Sequence, residues 1–155
     1  ANRYDSDMPR TNTEVLSEDD VFSMGDGEVV PLHLPGHTSD GMGFHIPHLS
    51  TLIVGALLPR ADRPTRWDMP GGSLVEVVDS YKRMKRLNLS SIVPLQGPAI
   101  RGESHVREVL DRHLAFYEEA VRNEGCPPAS WDRPASTAVW LTPRSPWPLE
   151  EQEAV

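Results

Sequence analysis

The chain has little of three features that mark particular classes of protein. It contains one cysteine, Cys126, so no internal disulfide forms and nothing suggests the bridged scaffold of a small secreted protein. It has no apolar run of membrane-spanning length and no signal-peptide pattern at its N-terminus. We therefore expect a cytoplasmic protein that is not embedded in a membrane.

Positive charge is also scarce. Lys and Arg total 15 against 23 Asp and Glu, which gives a formal net charge of −8. Nucleic acids and anionic membranes both attract clustered basic side chains, so the sequence predicts neither as a partner. The basic cluster between Lys82 and Arg86 lies at the predicted end of a helix, where positive charge suits the helix dipole, and we interpret it in that way rather than as a binding site.

Composition divides the chain into three segments. Residues 1–14 are polar and lack periodicity, which predicts an irregular N-terminal arm. Residues 15–125 carry the strand and helix patterns of one domain, which is a sufficient length for a hydrophobic core. Residues 126–155 form a tail rich in Pro and Trp, and we expect it to wrap over the domain.

Short strand patterns fill the first part of the domain. Residues 15–24 predict a strand, an acidic turn and a second strand, and Gly25-Asp26-Gly27 then favours a hairpin turn. Residues 28–34 alternate, with Val30, Leu32 and Leu34 on one face. Pro31 cannot donate to a strand ladder, which places this strand at an edge or a bulge. Further strands are predicted at residues 41–46, 51–54 and 89–93.

Two amphipathic helices follow. Ser73 and Glu76 form a capping box at the start of the first helix. The second spans residues 103–123 and is expected to stop at Gly125. Its apolar stripe consists of Val106, Val109, Leu110, His113, Tyr117 and Val121. The apolar neighbours of His113 favour a half-buried, hydrogen-bonded structural histidine over a metal ligand.

Three strand-end motifs organise the domain: LHLPGHTSDG at residues 32–41, LIVGALLPR at 52–60 and IVPLQGP at 92–98. In this order and spacing they resemble the second half of a metallo-β-lactamase-fold, glyoxalase II-like hydrolase. The corresponding motifs of that family are PGHTxG, LFxGDxLLPR and LPGHGP, and each supplies a metal ligand at a strand end. The resemblance covers about residues 15–123. It implies an α/β (α+β) fold, the C-terminal half of the αββα sandwich, with a mixed sheet and two main helices. At 155 residues, the chain is too short for the complete sandwich.

The metal motifs depart from the family pattern. His37 keeps the first ligand, but the Asp position is Ala56, the last His position is Gln96, and the upstream HxHxDH motif is absent. Alanine has no donor atom and a glutamine carbonyl is a poor ligand for zinc, so a two-metal site is not expected. The resemblance implies at most one zinc or iron ion, held by His37 with two histidines of another chain, or no metal at all.

Two polar residues are further candidates for the site. Gln96 is a candidate for binding substrate or stabilising an oxyanion. Asp40 is a candidate for orienting His37 or for serving as an auxiliary ligand, and the alternative is that Asp40-Gly41 is simply a turn pair. A metal site built only from the chain's own six histidines is a weaker hypothesis, because His33 and His37 are separated by Pro35 and Gly36 and share no helix face.

Three functional hypotheses remain open. In the first, the chain is a diverged hydrolase half that acts on an ester, thioester, lactone or amide together with a complementary N-terminal half. In the second, it is a non-catalytic binding or scaffolding subunit. In the third, it is a fragment of a longer protein. A half fold exposes the sheet face that should meet the other half, which we expect to include parts of Val30, Leu32, Leu52 and Val54. This face predicts a complementary chain or a homo-oligomer, and the loop at residues 61–72 is expected to set any preference for a small-molecule ligand.

Overall fold

The computed structural model describes residues 14–128, which form one mixed β-sheet with two helices against it. The strands are β1 (Phe22–Met24), β2 (Gly27–His33), β3 (Met42–Ile46), β4 (Thr51–Val54), β5 (Ser91–Val93) and β6 (Ile100–Arg101). The helices are α1 (Leu74–Arg86) and α2 (Glu103–Arg122), and a short 3₁₀ helix spans Pro47–Leu49. The arm predicted for residues 1–14 and the tail predicted for 126–155 lie almost entirely outside the described residues.

The direction of the strands brings three strand ends together. The strands lie in the order β1-β2-β3-β4-β5-β6, and every neighbouring pair is antiparallel except β4 and β5. Since β2 and β4 are both antiparallel to β3, and β5 is parallel to β4, these three strands run in one direction. Their C-terminal ends therefore meet at one edge of the sheet. The predicted mixed sheet with two main helices is confirmed.

The hydrophobic core fills the space between the two helices and one face of the sheet. Leu52 and Ile92 of the central strands are completely buried there, against Val77, Tyr81 and other apolar side chains of the helices. The expectation that Leu32, Leu52 and Val54 would face an exposed surface is wrong, because all three belong to this core. Val30 also packs against it. The helices cover the face that carries these residues, so the alternate residues form the open face.

The open face carries a row of apolar residues across four strands. Pro31 pairs with Phe44, Phe44 with Ile53, and Ile53 with Val93. Because side chains of directly paired residues lie on the same face, these four side chains form a continuous row. Pro31 is buried and Phe44 is partly buried, whereas Ile53 is 41% exposed and Val93 is 36% exposed. The row is an apolar surface on the side of the sheet opposite the helices.

The predictions for individual strands agree with the structure in some places and differ from it in others. The strand predicted near Val15 is wrong, because only Phe22–Met24 forms a strand in that region. Strand β1 pairs with β2 only as far as Val29, so Pro31 has a ladder partner on the β3 side alone, which suits a residue without an N–H. Strand β6 was not predicted, since its two residues are too few to show alternation.

The helix ends follow their sequence signals. The Ser73 Oγ accepts the backbone N–H of Glu76 at 3.4 Å, which confirms the hydroxyl part of the predicted cap. Gly125, with φ of +90°, donates its N–H to the Ala120 carbonyl at 2.8 Å, as expected of a helix stop. Val121, predicted to lie on the apolar stripe of α2, is instead exposed, and Ala120 takes the buried place.

Candidate functional site

The loop that presents His37 is closed on itself at the end of β2. The Leu34 N–H donates to the Gly41 carbonyl at 2.7 Å, and the Gly36 N–H donates to the Thr38 carbonyl at 3.1 Å. These bonds return the chain to its starting point over a few residues. They leave His37 at the tip of a tight turn, with its side chain partly buried.

The same loop is fixed to the beginning of α1. The Ser73 N–H donates to the Gly36 carbonyl at 2.9 Å, and the Ser80 hydroxyl donates to the Pro35 carbonyl at 2.7 Å. Gly36 has a φ of +137°, and a Cβ at this position would lie 2.6 Å from the backbone nitrogen of Val77. Only glycine allows this close approach, so the Pro-Gly turn fixes the position of His37 relative to the helix.

The ring of His37 is oriented by the loop at residues 61–72. Its Nδ1 lies 2.9 Å from the Arg66 carbonyl oxygen and 3.2 Å from the Thr65 hydroxyl oxygen. A carbonyl only accepts, and the Thr65 hydroxyl gives its hydrogen to the Ala56 carbonyl at 2.7 Å. In the neutral ring, Nδ1 therefore carries the proton and Nε2 carries the lone pair.

The other two strand ends lie at the same edge of the sheet as His37. Ala56 follows β4, and its carbonyl accepts the hydroxyl of the same Thr65 that contacts His37. Gln96 follows β5, and its backbone N–H donates to the Pro59 carbonyl at 2.9 Å, while its side chain is exposed. The topology thus places His37, Ala56 and Gln96 at one edge, and the metal and substrate roles assigned to these positions stay predictions.

Two carboxylates lie near this edge. Asp40 is exposed, and a hydrogen bond from Thr38 lowers its pKa. Asp68 is exposed as well, and the guanidinium of Arg66 bonds both of its oxygens and lowers its pKa, with a smaller contribution from His37. The acceptors that orient the Nδ1 of His37 are Arg66 and Thr65, and the role proposed for Asp40 stays a prediction.

The described residues do not form a metal site by themselves. Within residues 14–128, no three His, Cys, Asp or Glu side chains are grouped so that they could hold an ion. His37 fits the part of one ligand, because metal-binding histidines almost always donate their second ring N–H to a carbonyl or carboxylate. A methyl group at position 56 supplies no further donor atom. We therefore assign no reaction step to a metal held by this chain alone.

A buried polar cluster lies beneath the loop. It consists of Tyr81 from α1 and His113 and Tyr117 from α2, all fully buried. Their hydrogen bonds reach the carbonyls of Leu57 and Ala61, at 2.9 Å each. Burial raises the pKa of both tyrosines and lowers the pKa of His113 to about 4, so all three are neutral at neutral pH. The prediction of a hydrogen-bonded structural histidine is confirmed, but the ring is fully buried rather than half-buried as expected.

Sequence patterns did not identify the residues that orient His37. Thr65 and Arg66 lie in a loop without periodicity, and Arg66 acts through its backbone carbonyl, which every residue has. The one available signal was Trp67, a large apolar side chain in a polar loop. Its ring packs against Tyr117 at 6.0 Å, in an edge-on arrangement that fixes this part of the loop to α2.

The chain can be compared with known proteins on this basis. A protein-family model described as "Metallo-beta-lactamase superfamily" matches residues 4–96, which is more than half of the chain. The chain therefore belongs to the metallo-β-lactamase superfamily. A protein of Aquifex aeolicus (strain VF5), described as uncharacterized, is 42% identical over 76 residues, which cover 49% of this chain and 35% of that protein.

Solved structures agree on the fold. ETHE1 from Myxococcus xanthus is 19% identical with a TM-score of 0.55, over 72% of this chain and 52% of that one. The archaeal superfamily protein ST1585 from Sulfolobus tokodaii is 14% identical with a TM-score of 0.56, over 80% and 44%. TTHA1623, in a di-iron-bound form, is 26% identical with a TM-score of 0.51, over 65% and 48%. The chain spans about half the length of these proteins or less. Within residues 14–128, neither helix is long and apolar enough to cross a membrane.

Proposed function

We propose that this chain is one half of a metal-dependent hydrolase, and that it supplies His37 as one ligand to a single-ion site that a second polypeptide completes. The state of the His37 ring carries the proposal. Its Nδ1–H is committed to the Arg66 carbonyl, so Nε2 is left with a lone pair in a partly buried loop. This is the arrangement of metal-binding histidines, which almost always donate their second ring N–H to a carbonyl or carboxylate.

The open face of the sheet supports the need for a partner. The row of Pro31, Phe44, Ile53 and Val93 crosses four strands and becomes exposed toward Ile53 and Val93. We propose that the occupant of this face is a complementary N-terminal half chain that carries the remaining metal ligands.

The proposed reaction is hydrolysis of an ester, thioester, lactone or amide. A bound zinc or iron ion would lower the pKa of a water molecule and polarise a carbonyl group. The contribution of this chain is His37 as a ligand and Gln96, whose exposed side-chain amide can donate a hydrogen bond to a substrate oxygen. The di-iron form of TTHA1623 makes iron a candidate alongside zinc.

A non-catalytic binding subunit is the second candidate. The methyl group of Ala56 at a ligand position favours it, because two of the three family ligands in this half are then replaced. Both candidates share the exposed sheet face and differ in the metal. A metal bound through His37 supports the hydrolase, whereas a stable complex without metal supports the binding subunit.

The partner can be tested with a charge placed on the open face. Ile53→Glu introduces a carboxylate at the exposed row, and Val75→Glu is the matched control, because Val75 is 63% exposed on α1. Each tagged chain is purified from the cells in which it naturally occurs, and native mass spectrometry measures the mass of the complex that it forms. We expect a second, different polypeptide with the wild type and with Val75→Glu, and its loss with Ile53→Glu. A mass equal to two copies of the chain, or equal association of all three proteins, would contradict the complementary half.

A further inference from the structure

We propose that Tyr117 is a positioning residue for His37, and that its hydroxyl holds the Thr65–Arg66 segment in the place where the Arg66 carbonyl selects the Nδ1–H form of the His37 ring. This inference deepens the proposed function, and it rests on that function for the role of His37 as a metal ligand. The selection of the ring tautomer, however, is a property of this chain alone and can be measured without metal or partner.

The first step is the bond between ring and carbonyl. His37 and Arg66 are 29 residues apart, and the 2.9 Å contact between Nδ1 and the Arg66 oxygen exists only while this loop lies against the Pro-Gly turn. Histidine in water favours the form with the proton on Nε2. A fixed acceptor at Nδ1 reverses this preference and leaves Nε2 able to bind a metal ion.

The second step is the attachment of Thr65. Its backbone N–H donates to the Tyr117 hydroxyl oxygen at 2.8 Å, and both residues are almost fully buried. Its side-chain hydroxyl donates to the Ala56 carbonyl at 2.7 Å. Thr65 is thus held on both its backbone and its side chain, and the carbonyl of the next residue is Arg66, the acceptor for His37.

The hydrogen bonds around His113 leave the Tyr117 oxygen able to accept the N–H of Thr65. The Nε2 of His113 lies 2.9 Å from the Ala61 carbonyl, which only accepts, so Nε2 carries the proton and Nδ1 is an acceptor. The Tyr81 hydroxyl gives its one hydrogen to the Leu57 carbonyl. The Nδ1 of His113, at 3.4 Å, can accept the hydrogen of Tyr117, and the Tyr117 oxygen accepts the N–H of Thr65.

Packing keeps this arrangement in place from the other side. The Trp67 ring lies 6.0 Å from the Tyr117 ring and 6.4 Å from the Phe116 ring. The residues on both sides of Arg66 are therefore attached to α2, one by a hydrogen bond and one by aromatic contact. Without the Tyr117 hydroxyl, the buried N–H of Thr65 would lack an acceptor, and the segment would have to move to find one.

The test is the tautomer of His37, measured by long-range proton–nitrogen correlation spectra of the nitrogen-15-labelled chain at a pH where the ring is neutral. The His37→Ala spectrum assigns the signals. Tyr117→Phe removes the acceptor of the Thr65 N–H and keeps the ring. Tyr81→Phe is the matched control, because it removes a hydroxyl of the same cluster, which donates to Leu57 and contacts His113, and leaves the Tyr117 acceptor in place. Thr65→Val and Thr65→Ser form a second pair, in which serine retains the hydroxyl.

We expect the wild type to show a proton on Nδ1 and a lone pair on Nε2. Tyr117→Phe and Thr65→Val should shift the His37 signals toward a mixture with the Nε2–H form, whereas Tyr81→Phe and Thr65→Ser should leave them unchanged. A wild-type ring protonated on Nε2 would overturn the inference, and so would unchanged signals in Tyr117→Phe. If Tyr117→Phe does not fold, hydrogen exchange of the wild-type chain decides: a Thr65 N–H that exchanges as fast as an exposed amide is not held by the Tyr117 hydroxyl and overturns the inference. A confirmed tautomer in a chain that never binds metal would refute the proposed function and leave the positioning role intact.

Discussion

Burial of a neutral His113 should make the stability of the chain depend on pH. The pKa of His113 falls from its usual value of 6.5 to about 4, because burial penalises the charged ring. Below pH 6.5 the unfolded chain takes up a proton at this position, whereas the folded chain does not until about pH 4. The free energy of unfolding should therefore decrease as the pH falls through this window, and this histidine should cause no further change above it.

The size of the effect follows from the two pKa values. At ~1.4 kcal/mol for each pKa unit, the difference between 6.5 and about 4 corresponds to about 3 kcal/mol lost between neutral pH and pH 4. The titratable groups facing the ring are the hydroxyls of Tyr81 and Tyr117, and burial raises the pKa of both, so neither ionises in this range. The decrease in this window is assigned to His113, and variants separate it from the contributions of carboxyl groups.

Urea unfolding of the chain at pH 7, 6, 5 and 4, followed by circular dichroism, measures this dependence. His113→Gln should be less stable at pH 7 and should lack the decrease assigned to the histidine. Val109→Ala, a buried cavity variant on the same helix, should lose stability and keep the full pH dependence. Carboxyls with lowered pKa values, such as Glu18, contribute equally in all three proteins, so the comparison removes them. Equal slopes in wild type and His113→Gln would refute the reasoning.

Two further predictions concern the turn and the sheet. Gly36→Ala should cost at least ~1 kcal/mol in unfolding free energy from backbone strain alone, since φ is +137° and the new Cβ would meet Val77, and a stability equal to wild type would contradict the tight turn. Leu52→Ala should cost about 2–5 kcal/mol in the isolated chain, whereas Ile53→Ala should cost less than about 1 kcal/mol, because only Leu52 lies in the core. Similar losses at the two neighbouring positions would show that the faces of the sheet are wrongly assigned.

The fold was predictable to the extent that each residue follows a local pattern. The Ser73 cap, the Gly125 stop and the stripe of α2 apart from Val121 were readable from spacing, since helix ends and faces depend on nearby residues. Alternation also placed Val30 and Leu32 on one face of β2. Alternation alone does not show whether the helices or a partner cover that face, because the side of the sheet on which the helices pack depends on how the whole chain is connected. The wrong assignment of Leu52 and Val54 came from that step.

The candidate site was predictable only where a motif marks it. The Pro-Gly-His sequence indicated His37, and the strand order confirms that Ala56 and Gln96 follow strands ending at the same edge. The acceptor of the His37 ring is a backbone carbonyl, which leaves no trace in residue type. The role of Tyr117 was hidden as well, because its place on the apolar stripe of α2 is also that of an ordinary core aromatic.

The metal content of the complex tests the central claim most directly. The chain would be purified with whatever protein accompanies it, from wild-type cells and from cells that carry His37→Ala, and zinc and iron would be counted per mole of complex by mass spectrometry. We expect about one ion per complex in the wild type, as a single-ion site requires, and its loss in His37→Ala while the complex stays assembled. A complex that contains no metal in either preparation, or an ion that survives His37→Ala, would contradict the assignment of His37 as a ligand.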